Sequence, residues 1–248
     1  MIIFRLILIL SALSPGLFGQ ENAVEIVRKS NDLLRGVSSY SELRMRIEKP
    51  DWSREMRLKM WALEPDFGLV FVISPARDKG NVTLKRQTEV WNWLPSVRRV
   101  IKIPPSMMLQ SWMGSDFTND DLVRQSSLVE DYEHTIAGVD TLDGYPCWRI
   151  DMIPKPDAGV VWGKVIMWIA KEHYWQLKSD FFDEDGTIVK SMRASEIKNL
   201  GGRRLPARLE MVPFDEPGNK TIMIYEELEF DIDIKVNFFS QQNMKRIR

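Results

Sequence analysis

The residues best suited to chemistry in this sequence do not assemble into a catalytic set. His134 and His173 are the only histidines and stand 39 positions apart. Neither has a second His, Cys or carboxylate at metal-ligand spacing. Ser115-Asp116 with Asp120 and Asp121 is the densest polar group. Ser115 lacks the G-x-S-x-G setting of a nucleophile elbow, and the carboxylates lack the twelve-residue pattern of a calcium loop. Capping of short helices accounts more simply for Asp116, Thr118 and Asp121. Glu184 and Asp185 fall in a turn, which does not make an acid/base pair. Cys147 is the single cysteine, so no intrachain disulfide can form, and its apolar strand setting suggests a small buried hydrophobe. These residues predict no enzyme, no metal and no cofactor.

The remaining chemistry is that of binding, and it concentrates in Lys79–Leu122. Met107, Met108, Leu109, Trp112, Met113 and Phe117 form a soft apolar group in a Pro-broken segment. Methionine is flexible and polarizable, which suits a surface that repacks around variable chains. The group either lids a cavity or plugs the core. Trp91 and Trp93, two apart on one strand, share a face. They either line the cavity or pack outside beneath Arg and Lys stems. Arg98, Arg99 and Lys102, with Lys85 and Arg86 upstream, make a basic end. It could hold a phosphate headgroup or meet a membrane or acidic partner. Alternatively it is a charged hairpin that protects a sheet edge.

The elements that position these residues are mostly strands. Glu21–Arg35 has helical apolar spacing closed by Gly36. Period-two segments follow at Tyr40–Lys49, Ser53–Leu63, Gly68–Ser74, Val82–Arg86 and Val90–Leu94. Met56, Leu58, Met60 and Phe71 supply candidate cavity wall. Pro, Gly, Asp and Asn punctuate the segments as tight turns. Pro104–Ser127 interrupts the pattern, and Thr118–Asp121 resembles a capping box. Strands resume near Glu130–Ile136, Cys147–Ile153, Lys164–Ala170, Gln176–Phe182, Ile188–Lys198, Leu205–Val212 and Lys220–Asp231. The tail from Val236 is too short to assign. The prediction is a mainly β (α+β) fold: ten or more antiparallel strands curled into a half-barrel, with the helix and the insertion filling its concave side.

Residues 1–19 read as a signal peptide. Arg5 precedes the apolar run Leu6–Leu13, and Ser14–Gly19 breaks it. That run is too short for a membrane span. The expected mature chain, residues 20–248, is one exported, soluble, monomeric domain of the periplasm. A net charge of −1 gives no general pull toward nucleic acid.

Trp91, Trp93, Leu94, Pro95, Arg98 and Arg99, followed by Gly114, Ser115, Asp116, Phe117, Asp121 and Leu122, carry a resemblance to the LolA-like outer-membrane lipoprotein-sorting protein family. That superfamily also contains LolB and RseB-type sensors. The layout covers most of the mature chain, while the motif covers its middle. The resemblance implies a curled antiparallel sheet and an acyl-chain cavity. It implies carriage of lipoprotein or lipid acyl chains toward the outer membrane, with an inner-membrane lipid transporter as a potential partner. The weakly ordered, Met-rich insertion would be the part that opens. The alternative within the same fold is an RseB-like envelope sensor or accessory protein-binding subunit.

Overall fold

The computed structural model describes residues 22–123, 128–156 and 158–247. The expected signal peptide at residues 1–19 lies outside the described residues. Helix α1 spans Ala23–Arg35; the Asn22 side chain caps it by accepting a hydrogen bond from the Val24 N–H at 3.2 Å. The helix stops where predicted, at Gly36, whose φ of 64° is one that a side chain disfavours.

Six strands follow as a meander: β1 (Ser38–Glu48), β2 (Ser53–Leu63), β3 (Phe67–Ser74), β4 (Val82–Arg86), β5 (Glu89–Leu94) and β6 (Arg99–Ile103). A long connection, residues 104–131, includes the 3-10 turns Pro105–Met107 and Trp112–Gly114 and the short helix α2 (Asn119–Val123). The second meander comprises β7 (Tyr132–Leu142), β8 (Tyr145–Pro154), β9 (Lys164–Ala170), β10 (Gln176–Phe182), β11 (Ile188–Leu200), β12 (Arg203–Pro213) and β13 (Lys220–Phe230). All thirteen strands form one antiparallel sheet in the order β6-β5-β4-β3-β2-β1-β13-β12-β11-β10-β9-β8-β7. The β1–β13 pairing, from Ser39↔Phe230 to Glu48↔Lys220, joins the two meanders.

This topology explains the insertion. β6 and β7 are consecutive in sequence but occupy opposite edges of the sheet, so residues 104–131 must cross from one edge to the other. A sheet of this width curls. Its curl is visible in the core: Val70 and Val72 of β3 share one apolar cluster with Ile150 and Met152 of β8, with α1 and the insertion's Trp112 and Phe117 between them. The half-barrel is therefore filled from its concave side by the two elements expected to fill it.

Alternation sorts the other face. Leu69 and Phe71 of β3, Val82 and Leu84 of β4, and Trp91 and Trp93 of β5 are registered across neighbouring strands. They face away from Val70 and Val72. This convex patch is covered by the tail, where a 3-10 turn (Val236–Phe238) and α3 (Gln241–Met244) bring Phe238, Phe239 and Met244 onto it. The N-terminal meander is thus covered on both faces.

Candidate functional site: an apolar cavity with a pinned floor

Between α1 and the concave face lies a cavity of about 180 Å³. Its lining runs the length of the strands. At one end are Arg35, Glu64, Leu205 and Leu228, all beside the turns where β1 begins and β13 ends. At the other end are Phe117, Asp121, Trp162 and Phe181. We call the first end, where Arg35 and Glu64 are part-exposed, the mouth, and the second, where Phe117 is buried, the floor.

The floor is built by the insertion. Its chain closes a small loop on itself: the Trp112 N–H donates to the Phe117 carbonyl at 2.8 Å and the Asn119 N–H to the Gln110 carbonyl at 3.0 Å. Met113 at φ 51° and Gly114 at φ 77° make the reversal in left-handed conformation, which is why glycine stands at 114. Thr118 and Asp121 form a reciprocal cap. The Thr118 N–H donates to Asp121 Oδ2 at 2.7 Å, and the Asp121 N–H to Thr118 Oγ1 at 3.1 Å.

Two lysines then fasten this loop to the sheet. Lys49 Nζ lies 2.7 Å from Asp116 Oδ1, and Thr221 Oγ1 donates to Asp116 Oδ2 at 2.6 Å. Lys190 Nζ pairs with Asp121 Oδ2 in a site where the two side chains are only 4% and 5% exposed. The same ammonium sits over the Trp162 ring at 4.7 Å, so apolar walls and a charge-assisted bond hold it together. The Trp112 indole N–H donates to Thr83 Oγ1 at 3.1 Å, and Arg54 donates to the Met113 carbonyl. The acidic residues of the motif thus serve as anchors. Asp121 also caps, as expected; Asp116 is held by Lys49 and Thr221.

The cover is fastened differently. α1 buries Ala23, Ile26 and Val27. Its polar ties run along its rim: Lys29 Nζ donates to the Tyr174 hydroxyl at 3.3 Å, Arg203 Nη1 donates to the Asp32 and Leu33 carbonyls at 3.1 and 2.9 Å, and Arg35 pairs with Glu64 at 3.0 Å. Burial pushes the hydroxyl of Tyr225, on the cavity wall, above the ordinary phenol range, with Arg35 as a weaker opposing influence.

The predicted site residues divide among four places. Met60 and Phe117 line the cavity. Met56, Leu58 and Trp112 are buried in the surrounding concave core, with Met113 packed against it. Met107 and Met108 join Val90 and Ile103 in a separate small cluster near the β6 edge, while Leu109 is 52% exposed. Phe71, Trp91 and Trp93 lie on the convex face beneath the tail; alternation had put the two tryptophans together but could not tell which face curls inward. Arg98 and Arg99 are exposed at the β5–β6 turn and Lys102 pairs with Glu89. None of these three borders the cavity. They line edge strand β6, the position in which charge discourages edge pairing.

Sequence reasoning missed Lys49, Lys190, Ser30, Ser41 and Tyr225. A signal for Lys190 existed. It shares its alternation phase with the buried Met192 and Ala194, and a lysine on an apolar phase indicates a buried partner. Ser39 and Ser41 likewise fall in phase with Leu43, Met45 and Ile47.

Among the described residues no cluster of His, Cys, Asp and Glu could hold a metal ion, and no helix is long and apolar enough to cross a membrane.

The geometry has known counterparts. A family model described as uncharacterized-protein-like matches residues 65–246, and the chain belongs to that family. Three solved structures share the fold. A DUF1329 family protein from Desulfovibrio piger has 20% identity and a TM-score of 0.82, over 90% of this chain and 97% of that one. A proposed outer membrane lipoprotein-sorting protein domain from Vibrio parahaemolyticus has 23% identity and a TM-score of 0.81, over 90% and 98%. A LolA superfamily protein from Nitrosomonas europaea has 18% identity and a TM-score of 0.78, over 90% and 100%. The fold is therefore LolA-superfamily-like. No curated protein matches the chain.

Proposed function

We propose that this chain is a periplasmic, non-enzymatic carrier, a single exported domain acting as a monomer. It would shelter the acyl chain of a lipoprotein or lipid and pass it toward the outer membrane, in company with an inner-membrane lipid transporter. The observation that carries the reading is the cavity enclosed by the curled sheet, with Met60 on its wall and Phe117 at its floor. The fold shared with a proposed lipoprotein-sorting domain and a LolA superfamily protein supports it.

Size sets the mechanism. About 180 Å³ is close to the ~150 Å³ that accepts a benzene-sized guest and below the ~300–1,000 Å³ of ordinary ligand sites. A full acyl chain would therefore require one wall to move. Burying each methylene supplies about 0.8 kcal/mol, so a chain of about 14 carbons gains roughly 11 kcal/mol against the cost of opening. The cheaper wall to move is α1. Its polar ties are at the rim, whereas displacing the insertion would break the buried Lys190–Asp121 pair.

The test is native followed by denaturing mass spectrometry on the full chain, expressed in a bacterial envelope and purified without detergent. The reading expects one acylated species per chain, or uptake of added phospholipid or triacylated peptide. A chain that is empty and takes up neither contradicts it.

A further inference from the structure

The cavity is not uniformly apolar: Thr83, Asp120, Asp121 and Ser179 line it, as do Ser30, Ser41 and Tyr225. Ser30, on the inner side of α1, is 6% exposed, and its hydroxyl oxygen has no hydrogen-bond partner. Ser30 lines the cavity together with Ser41 of β1 and Tyr225 of β13. Leu43 is registered with Tyr225 and Ser41 with Leu228, so Ser41 and Tyr225 belong to the same mouth-side stretch of the β1–β13 pair. The Tyr225 hydroxyl makes no hydrogen bond among the described residues. A buried hydroxyl without a partner costs on the order of 1–3 kcal/mol, so an apolar residue would serve an empty core better at 30.

The charged groups nearby are already engaged: Lys85 donates to the Pro65 carbonyl at 3.0 Å. Arg35 is paired with Glu64 at 3.0 Å, both of them on the cavity lining. An anionic headgroup placed here would meet the Glu64 carboxylate as well as the guanidinium. A neutral acceptor would meet hydroxyl donors without repulsion from the Glu64 carboxylate.

We propose that the mouth end of the cavity is a subsite for the uncharged, hydrogen-bond-accepting linkage of an amphiphile, an acyl ester or amide carbonyl, with Ser30 and Tyr225 as its donors. The acyl chain runs from there toward Phe117, and any charged portion of the ligand stays outside the mouth. This rests on the carrier reading and narrows it: the cavity selects the linkage that joins acyl chain to backbone and ignores the headgroup. Tyr225 suits the role because its burial keeps the phenol protonated, and so a donor, across the physiological range.

The test is displacement of a fluorescent fatty amphiphile from the full chain by three probes of equal chain length: monoolein, oleate and octadecene. Monoolein is expected to bind at least tenfold tighter than either of the others. Tyr225→Phe and Ser30→Ala should each weaken monoolein about three- to tenfold, the range of one hydrogen bond, and leave octadecene unchanged. Thermal unfolding of the empty variants supplies a second readout. Removing the buried, unpartnered Ser30 hydroxyl should leave the melting temperature equal or higher, so in Ser30→Ala affinity falls while stability does not. Equal binding of the three probes, or unchanged monoolein affinity in both variants, overturns the subsite and leaves the carrier reading intact. Failure of every probe to displace the reporter overturns both.

Discussion

Two elements close the concave side of the sheet, and they are held by opposite means. The insertion carries buried charge. Asp116 and Asp121 reach Lys49 and Lys190 inside the fold, and Trp112 and Phe117 are 2% and 1% exposed. Helix α1 carries an apolar face, with its ion pair and carbonyl bonds at the rim. The energetic consequence differs. Opening a buried, mutually satisfied ion pair leaves charge in a poor dielectric. Sliding an amphipathic helix off an apolar cavity exposes surface that an acyl chain can immediately cover. The Met-rich insertion, which its composition marks as the soft part, is the one tied to the sheet by buried ion pairs.

The comparison breaks first at Lys190. Lys190→Met leaves Asp121 buried without its partner, and a loss of about 3–5 kcal/mol of stability is expected, measured by denaturant unfolding. Lys190→Met with Asp121→Leu should recover much of that loss. If the single substitution costs nothing, the insertion is not pinned as described.

Gly114→Ala comes next. The left-handed φ of 77° makes a side chain unfavourable by about 1–2 kcal/mol, and the same unfolding experiment should report it. Arg203→Ala tests the cover. It removes two bonds to the end of α1 and the stacking of its guanidinium 3.8 Å from the Phe230 ring. Global stability should fall by about 1 kcal/mol, while amide exchange in α1 should rise far more than exchange in residues 112–122.

The smallest effect is a pH dependence at the insertion's return to the sheet. His134 Nε2 lies 2.8 Å from the Leu128 carbonyl, and burial, its largest influence, holds its pKa below the ordinary value of 6.5. The unfolded chain therefore takes up this proton first as pH falls. The His134 contribution is complete above about pH 6.5 and declines below it, levelling off once the folded state is protonated too. Unfolding midpoints of His134→Gln should be flatter than the parent's between pH 7 and 5.

Much of the fold was legible because its strands alternate cleanly. Leu43, Met45 and Ile47 announce β1, and Met56 and Leu58 announce β2. The helix was readable from its spacing and Gly36. β6 was not, because Arg99, Val100, Ile101, Lys102 and Ile103 give an edge strand no clean alternation. The second half of β7 was missed for a similar reason: Gly138, Val139 and Asp140 lie on an exposed outer edge. The site was harder. Trp91 and Trp93 share a face, but which face is concave depends on the curl of the whole sheet. The tail that covers them pairs with nothing local. Ser30 looks like any helix serine until α1 is laid over a cavity.

Hydrogen exchange of the full chain, with and without monoolein or phospholipid, addresses the central claim most directly. The account predicts that α1 exchanges faster than residues 112–122 in the empty chain and is selectively protected when lipid is added. Faster exchange in the insertion, or lipid that protects neither element, would contradict it.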